Sequence, residues 1–191
     1  MTAPGRVGIF DRDLRAHLRP TDSELAVLDL YGVPVEGWEQ YEVAGLVVGE
    51  MPGRGTRPEL PMLPCPATSA GGRLMIMSGL PSAEYVGRLG RINVYERHGA
   101  WSARLARGEA LAQVRLPRTL PGRVVLCGRR VLDVFDPGRP FWEPFVLEHG
   151  RWYVGAPHPS GRSRVYNDRA ERDRVRRVLR WAAGVEPGWW E

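Results

Sequence analysis

Gly45-Leu-Val-Val-Gly-Glu-Met-Pro-Gly53 is a short apolar run closed by glycine and proline. Such a run reads as a buried, parallel strand that ends in a tight loop. Glu50 follows the apolar residues directly, which sets a carboxylate just past the strand's carboxyl end. In open α/β sheets that end is where ligands sit. The plainer alternative is a Gly-x-x-Pro-Gly turn with a solvated glutamate. A second polar loop lies far downstream: Ala156-Pro-His-Pro-Ser-Gly-Arg-Ser-Arg164, after the strand-like Trp152-Tyr-Val154. Two polar loops at the ends of two strands are expected to face each other across one cleft.

The 191 residues suit one domain with a sizeable core. Residues 1–42 read as a lead-in and a helix, and 43–183 as the core. Thr21 or Asp22 caps that helix, and Leu25, Leu28 and the Leu30/Tyr31 pair form its apolar stripe. The Pro- and Gly-rich stretch 52–73 reads as a site-wrapping loop, with a short helix over 74–80. Further strands are expected over 91–95, 123–128 and 152–155, and Asn93 falls in or near the end of the first of these. An amide inside an apolar strand needs partners: either a structural loop or a ligand edge. Helices are expected over 102–113, after Gly128, and over 168–183. The last has Val175, Val178, Leu179 and Ala182 inward, and its outer arginines Arg169, Arg172, Arg176 and Arg180 read as a solvated face. The tail Gly188-Trp-Trp-Glu191 is either a packed cap or an exposed patch. Strands alternating with helices at this spacing predict an α/β fold: a three-layer αβα sandwich around a central four-stranded, mostly parallel sheet.

The net charge is +5, and all 27 basic side chains are arginine. A basic surface points to a polyanionic partner. Without lysine, no side-chain amine is present to form an imine, so Schiff-base chemistry is confined to the α-amino terminus. The two cysteines, Cys65 and Cys127, are too few for a disulfide framework, a thiolate zinc site or an iron–sulfur cluster. Cys127 sits in an apolar run and reads as core. No cofactor or metal is expected. No signal-peptide pattern and no membrane-length apolar run is present, so a cytoplasmic, monomeric protein is expected.

Taken in order, these segments resemble the motifs of the uracil-DNA glycosylase superfamily. Val47-Val-Gly-Glu-Met-Pro-Gly53 resembles its first motif, in the G-E-A-P-G form of the thermophile-type branch. His158-Pro-Ser-Gly-Arg-Ser-Arg164 resembles its second. Ser69-Ala-Gly-Gly-Arg-Leu74 resembles the glycine-rich segment between them, and Gly87-Arg-Leu-Gly-Arg-Ile-Asn93 the strand whose Asn reads the base. Val124-Val-Leu-Cys-Gly-Arg-Arg130 falls where the family has its third strand. The iron–sulfur cysteines of that branch are missing here.

The resemblance implies a monofunctional DNA glycosylase that flips a base out of the stack, cuts its N-glycosidic bond and leaves an abasic site. It implies His158 as donor to the departing base, Glu50 as the group that holds water or stabilises the sugar cation, and Asn93 as reader of the base edge. Backbone N–H groups at Glu50 and Met51 add to the oxyanion contact. Gly53 stands where the strictest uracil enzymes carry a tyrosine against pyrimidine C5, so uracil or a 5-substituted pyrimidine is admitted. That leaves repair or phage defence as the setting. Ser160, Arg162 and Arg164 are expected on DNA phosphates, with Arg162 as the residue that fills the emptied stack. For the ring-stacking residue, Met62, Leu63 and Tyr95 are the alternatives. Two other classes stay open beside this one: a non-catalytic nucleic-acid binder and an α/β enzyme of free nucleotides.

Overall fold

The computed structural model describes residues 18–51, 60–95, 101–102, 106, 122–147, 150–161, 163–188 and 190. Among them lie five strands: β1 (Gly45–Gly49), β2 (Leu89–Asn93), β3 (Arg123–Cys127), β4 (Pro144–Val146) and β5 (Trp152–Ala156). They form one sheet in the order β2-β1-β3-β5-β4. The α-helices bounded by described residues are α1 (Asp22–Leu30), α2 (Ala70–Ser78), α3 (Ser82–Arg88), α4 (Arg129–Phe135) and α5 (Arg169–Ala182). The fold is α/β, as the alternating pattern predicts.

The apolar run of β1 is central, with all five of its residues buried. It pairs in parallel with β2 on one side and β3 on the other, and β3 pairs in parallel with β5. Side chains alternate across such a strand, and two cores result. Val47, Val125 and Val154 meet α2, α3 and α5 on one face. Leu46, Val48, Val124 and Leu126 meet α4 on the other. The chain passes from β1 to β2 on one side and then crosses over to β3 on the other, so the strand order reverses between β1 and β3. The carboxyl ends of these two strands flank the crevice that doubly wound sheets use for ligands.

The sheet departs from expectation in one strand. It has five rather than four, and the fifth, β4, runs antiparallel to β5, with Phe145 opposite Tyr153. Three residues opening on a proline carry no period-two signal, and an edge position tolerates the missing N–H. The expected strand over 91–95 begins two residues earlier, and the helix expected over 74–80 spans Ala70–Ser78. The helix α3 had no counterpart in the sequence reading.

The stripe expected on α1 is also corrected. Leu30 and Tyr31 are exposed, and the buried residues are Leu28 and Glu24. Glu24 is turned inward by a partner 67 positions away: Arg91 Nη2 donates to it at 2.5 Å. The α1 cap is Thr21, which accepts from the Glu24 N–H. Asp168 caps α5 through the Ala170 N–H at 2.7 Å. The inward residues of α5 are the four expected plus Trp181. Trp190 rests edge-on against Trp181 with ring centroids 4.9 Å apart, so this part of the tail is a packed cap. Cys127 is fully buried, and burial pushes its thiol up to about 12. The expected helix over 102–113 falls largely outside the described residues. Among the described residues, no helix is long and apolar enough to cross a membrane.

Candidate active site

Glu50, Asn93 and His158 come from three different strands and stand at the same edge of the sheet. Glu50 follows β1, Asn93 ends β2, and His158 follows β5 by two residues. Gly49 pairs in register with Asn93, and the Val94 and Tyr95 N–H groups continue the ladder onto the Gly49 and Glu50 carbonyls. Glu50 and Asn93 are therefore neighbours by strand pairing alone.

Asn93 is 5 % exposed, and neither its amide oxygen nor its amide nitrogen has a hydrogen-bond partner among the described residues. Leaving a buried amide unpaired costs roughly 1–3 kcal/mol per group. A β-carbon on Gly49 would stand 2.4 Å from Asn93 Oδ1 and 2.7 Å from Met62 Sδ. Only glycine lets the amide and the thioether come this close over the end of β1. Met62 thus lies beside Asn93, which separates it from Tyr95. Tyr95 is tied by its hydroxyl to the Ser102 carbonyl at 2.6 Å and packs with the opposite core.

The loop that carries Met62 is anchored to α2. Ser69 Oγ accepts from the Gly72 N–H as the helix cap and donates to the Leu63 carbonyl. The cap of the glycine-rich segment before Leu74 therefore ties down the residue next to Met62.

His158 is half-buried and closely placed. Its Nδ1 accepts the Ser160 N–H at 3.1 Å. That bond assigns the proton of the neutral ring to Nε2, which is then a donor. Burial lowers the imidazole below its ordinary value of 6.5, and the Glu50 carboxylate opposes this more weakly. Gly128, with φ +107°, ends β3 under the ring; a β-carbon there would lie 3.3 Å from His158 Cδ2. Three tethers hold the loop's backbone. The Tyr166 hydroxyl donates to the Pro157 carbonyl at 2.6 Å, Arg73 Nη1 donates to the Ser160 carbonyl at 3.2 Å, and the Ser163 N–H donates to the same carbonyl.

Two contributors were not assigned from the sequence. Arg73 is one. The other is Arg130, in the first turn of α4, whose Nη1 donates to Glu50 Oε1 at 2.9 Å across the β1–β3 crevice. Its guanidinium also lies 6.0 Å from the Trp101 ring centroid. The available signal was Gly128-Arg-Arg130 directly after an apolar strand. Met51 is half-buried beside Glu50, Ser160 is half-buried, and Arg164 is exposed on the His158 loop. Gly53 and Arg162 lie outside the described residues. Among the described residues, no three His, Cys, Asp or Glu side chains are grouped to hold a metal ion.

The arrangement offers a buried amide edge, a neutral imidazole donor and a carboxylate with one oxygen fixed by arginine. Glu50→Gln removes the charge that raises His158, so the imidazole pKa in this variant falls further below 6.5. A proton-detected NMR titration of the His158 ring reads this directly, and an unchanged midpoint would separate the two groups.

No protein-family model matches the chain, and no curated protein matches it.

Proposed function

We propose that this chain is a monofunctional DNA glycosylase of the uracil-DNA glycosylase kind, cytoplasmic and built as a three-layer sandwich around its sheet. It takes an extruded pyrimidine, uracil or a 5-modified one, and hydrolyses its N-glycosidic bond. The observation that carries this reading is the buried Asn93 amide, unpartnered among the described residues, on the same edge as Glu50 and His158. A donor and an acceptor side by side in an apolar wall match the edge of a pyrimidine, which presents both.

The chemistry follows from the side chains. When the C1′–N bond breaks, its electron pair leaves with the base, and negative charge gathers on the base oxygen. A preorganised N–H donor at that oxygen lowers the barrier, and His158 Nε2–H is such a donor without needing protonation. The sugar becomes cationic as the bond lengthens. Glu50 stabilises that charge, orients the water whose oxygen bonds to C1′ and accepts the proton that water loses; the departed base anion takes up a proton from solvent. Arg130 holds Oε1 of the carboxylate and leaves Oε2 for water. Met62 covers one side of the base.

The test is base release. Oligonucleotides carrying uracil, hypoxanthine, 5-hydroxymethyl or glucosylated pyrimidines are incubated with the protein, and alkali-labile sites are scored. Release from a pyrimidine substrate is expected, and the preferred one separates a repair role from defence against modified phage DNA. Intact glycosidic bonds on every substrate, with gel-shift binding alone, would mean a binder instead. Since the chain has no lysine, borohydride should trap no covalent protein–DNA adduct in the same reactions. A trapped adduct would contradict the water-only mechanism.

A further inference from the structure

A recess of about 360 Å³ lies outside the edge formed by Glu50, Asn93 and His158, lined by Phe141, Trp142, Glu143, Arg174 and Arg177. We propose that this recess binds a stretch of single-stranded nucleic acid, with Trp142 as the stacking platform for a base and Arg177 as a phosphate contact. The proposal rests on the glycosylase reading for its purpose, since a strand whose base is extruded must be held on either side.

Its position follows from the sheet. The Trp142 N–H donates to the Gly155 carbonyl at 2.9 Å, three residues before His158. The recess therefore flanks the His158 loop on the β4 side, between the 141–143 segment and the middle of α5.

Its chemistry suits a polyanion with aromatic bases. The helix α5 carries six arginines against Glu171 and Asp173, a local excess of four positive charges in a chain whose whole net charge is +5. Among the described residues Arg177 has no ion-pair partner. Arg174 and Trp142 are ordered by one carboxylate: Glu171 accepts the indole N–H at 2.9 Å and Arg174 Nη1 at 2.6 Å. Fixing both before a ligand arrives lowers the entropy lost on binding. Trp142 is held at φ +72°, a region that costs a bulky residue free energy and is retained where surrounding structure demands it. Glu143 sits at the lining with Arg139 Nη1 3.8 Å away. An acidic peptide would satisfy the arginines but leave the Trp142 ring without a flat partner. Single-strand binding sites combine the two features.

The test uses fluorescence anisotropy of a labelled oligomer of twelve thymidylates, whose glycosidic bonds are checked to stay intact over the measurement, and a labelled peptide of twelve glutamates. Trp142→Ala should weaken oligonucleotide binding roughly 5- to 100-fold. Arg177→Gln should lower the slope of log affinity against log salt by about 0.7, the share of one single-strand phosphate contact. Arg88→Gln, paired with Glu84 at the opposite flank of the sheet, controls for net charge and should leave the slope unchanged. Wild-type affinity in both recess variants, an equal slope change in the control, or equal binding of the glutamate peptide would each overturn the proposal. Failure of the glycosylase reading would show instead as absent base release from the modified substrates, with the thymidylate result intact.

Discussion

Replacing His158 with alanine should slow single-turnover base release about 10²- to 10³-fold, the usual loss when one preorganised donor to a developing oxyanion is removed. The magnitude follows from how the ring is held. The Ser160 N–H occupies Nδ1, so the free donor is Nε2–H, and burial keeps the ring in its neutral form. The loop itself should survive the substitution. Its backbone keeps the tethers from Tyr166 and Arg73 and loses only the Ser160 N–H bond to the imidazole, which costs about 1 kcal/mol. Thermal unfolding and near-ultraviolet circular dichroism should therefore change little while the rate collapses. A variant that releases base at the wild-type rate would remove His158 from the chemistry.

The pH dependence has a definite sign. The folded-state pKa of His158 lies below its ordinary value of 6.5, and the active form is the neutral one. Activity should thus persist as pH falls through 6.5 and decline only at the lower, folded-state value. Over that window the unfolded chain binds more protons than the folded one. The contribution of His158 to stability is present above pH 6.5 and is lost as pH falls toward the folded-state pKa.

Asn93→Leu should produce two large effects of opposite direction. The side chains are similar in size, and Asn93 is buried with both amide atoms unpaired among the described residues. Replacing an unsatisfied polar group by an apolar one of like shape removes a desolvation cost, so the variant should be more stable by about 1–2 kcal/mol. In a chain of 191 residues this raises the melting temperature by roughly 2–8 °C. Base release should fall at least about 100-fold, because a site built to hydrogen-bond a ligand edge loses that recognition when the amide goes. Greater stability with lost activity is the signature of a residue kept for its ligand. A destabilised variant would instead mean that the amide serves the fold, and one that is stabilised and fully active would leave Asn93 without a role in recognition.

Much of this edge was legible in the residues themselves. Leu46, Val47 and Val48 form an unbroken apolar run, and only a strand buried on both faces suits it; Gly49 and the following polar residues mark its end. Asn167-Asp168 before an amphipathic stretch announces α5, and the structure puts the cap on Asp168. Local chemistry of this kind is written in neighbouring positions, so a linear reading recovers it. The edge strand β4 was not recoverable in the same way. Three residues carry almost no pattern, and they pair only because Tyr153 is already in place opposite Phe145.

The chain's order of residues settles the strand centred on β1, the carboxylate just beyond it, the loop around His158 and the exclusion of side-chain imine chemistry by the absence of lysine. Each depends on covalent neighbours or on composition. Folding settles the rest: that Met62 rather than Tyr95 lies against Asn93, that Arg130 reaches Glu50, that Glu24 turns inward to Arg91, and that Trp142 shares Glu171 with Arg174. These partners stand 29 to 80 positions apart wherever two side chains are bonded across elements. Their pairing depends on sheet order and loop anchoring, which bring distant residues within hydrogen-bond reach and leave no trace in local sequence.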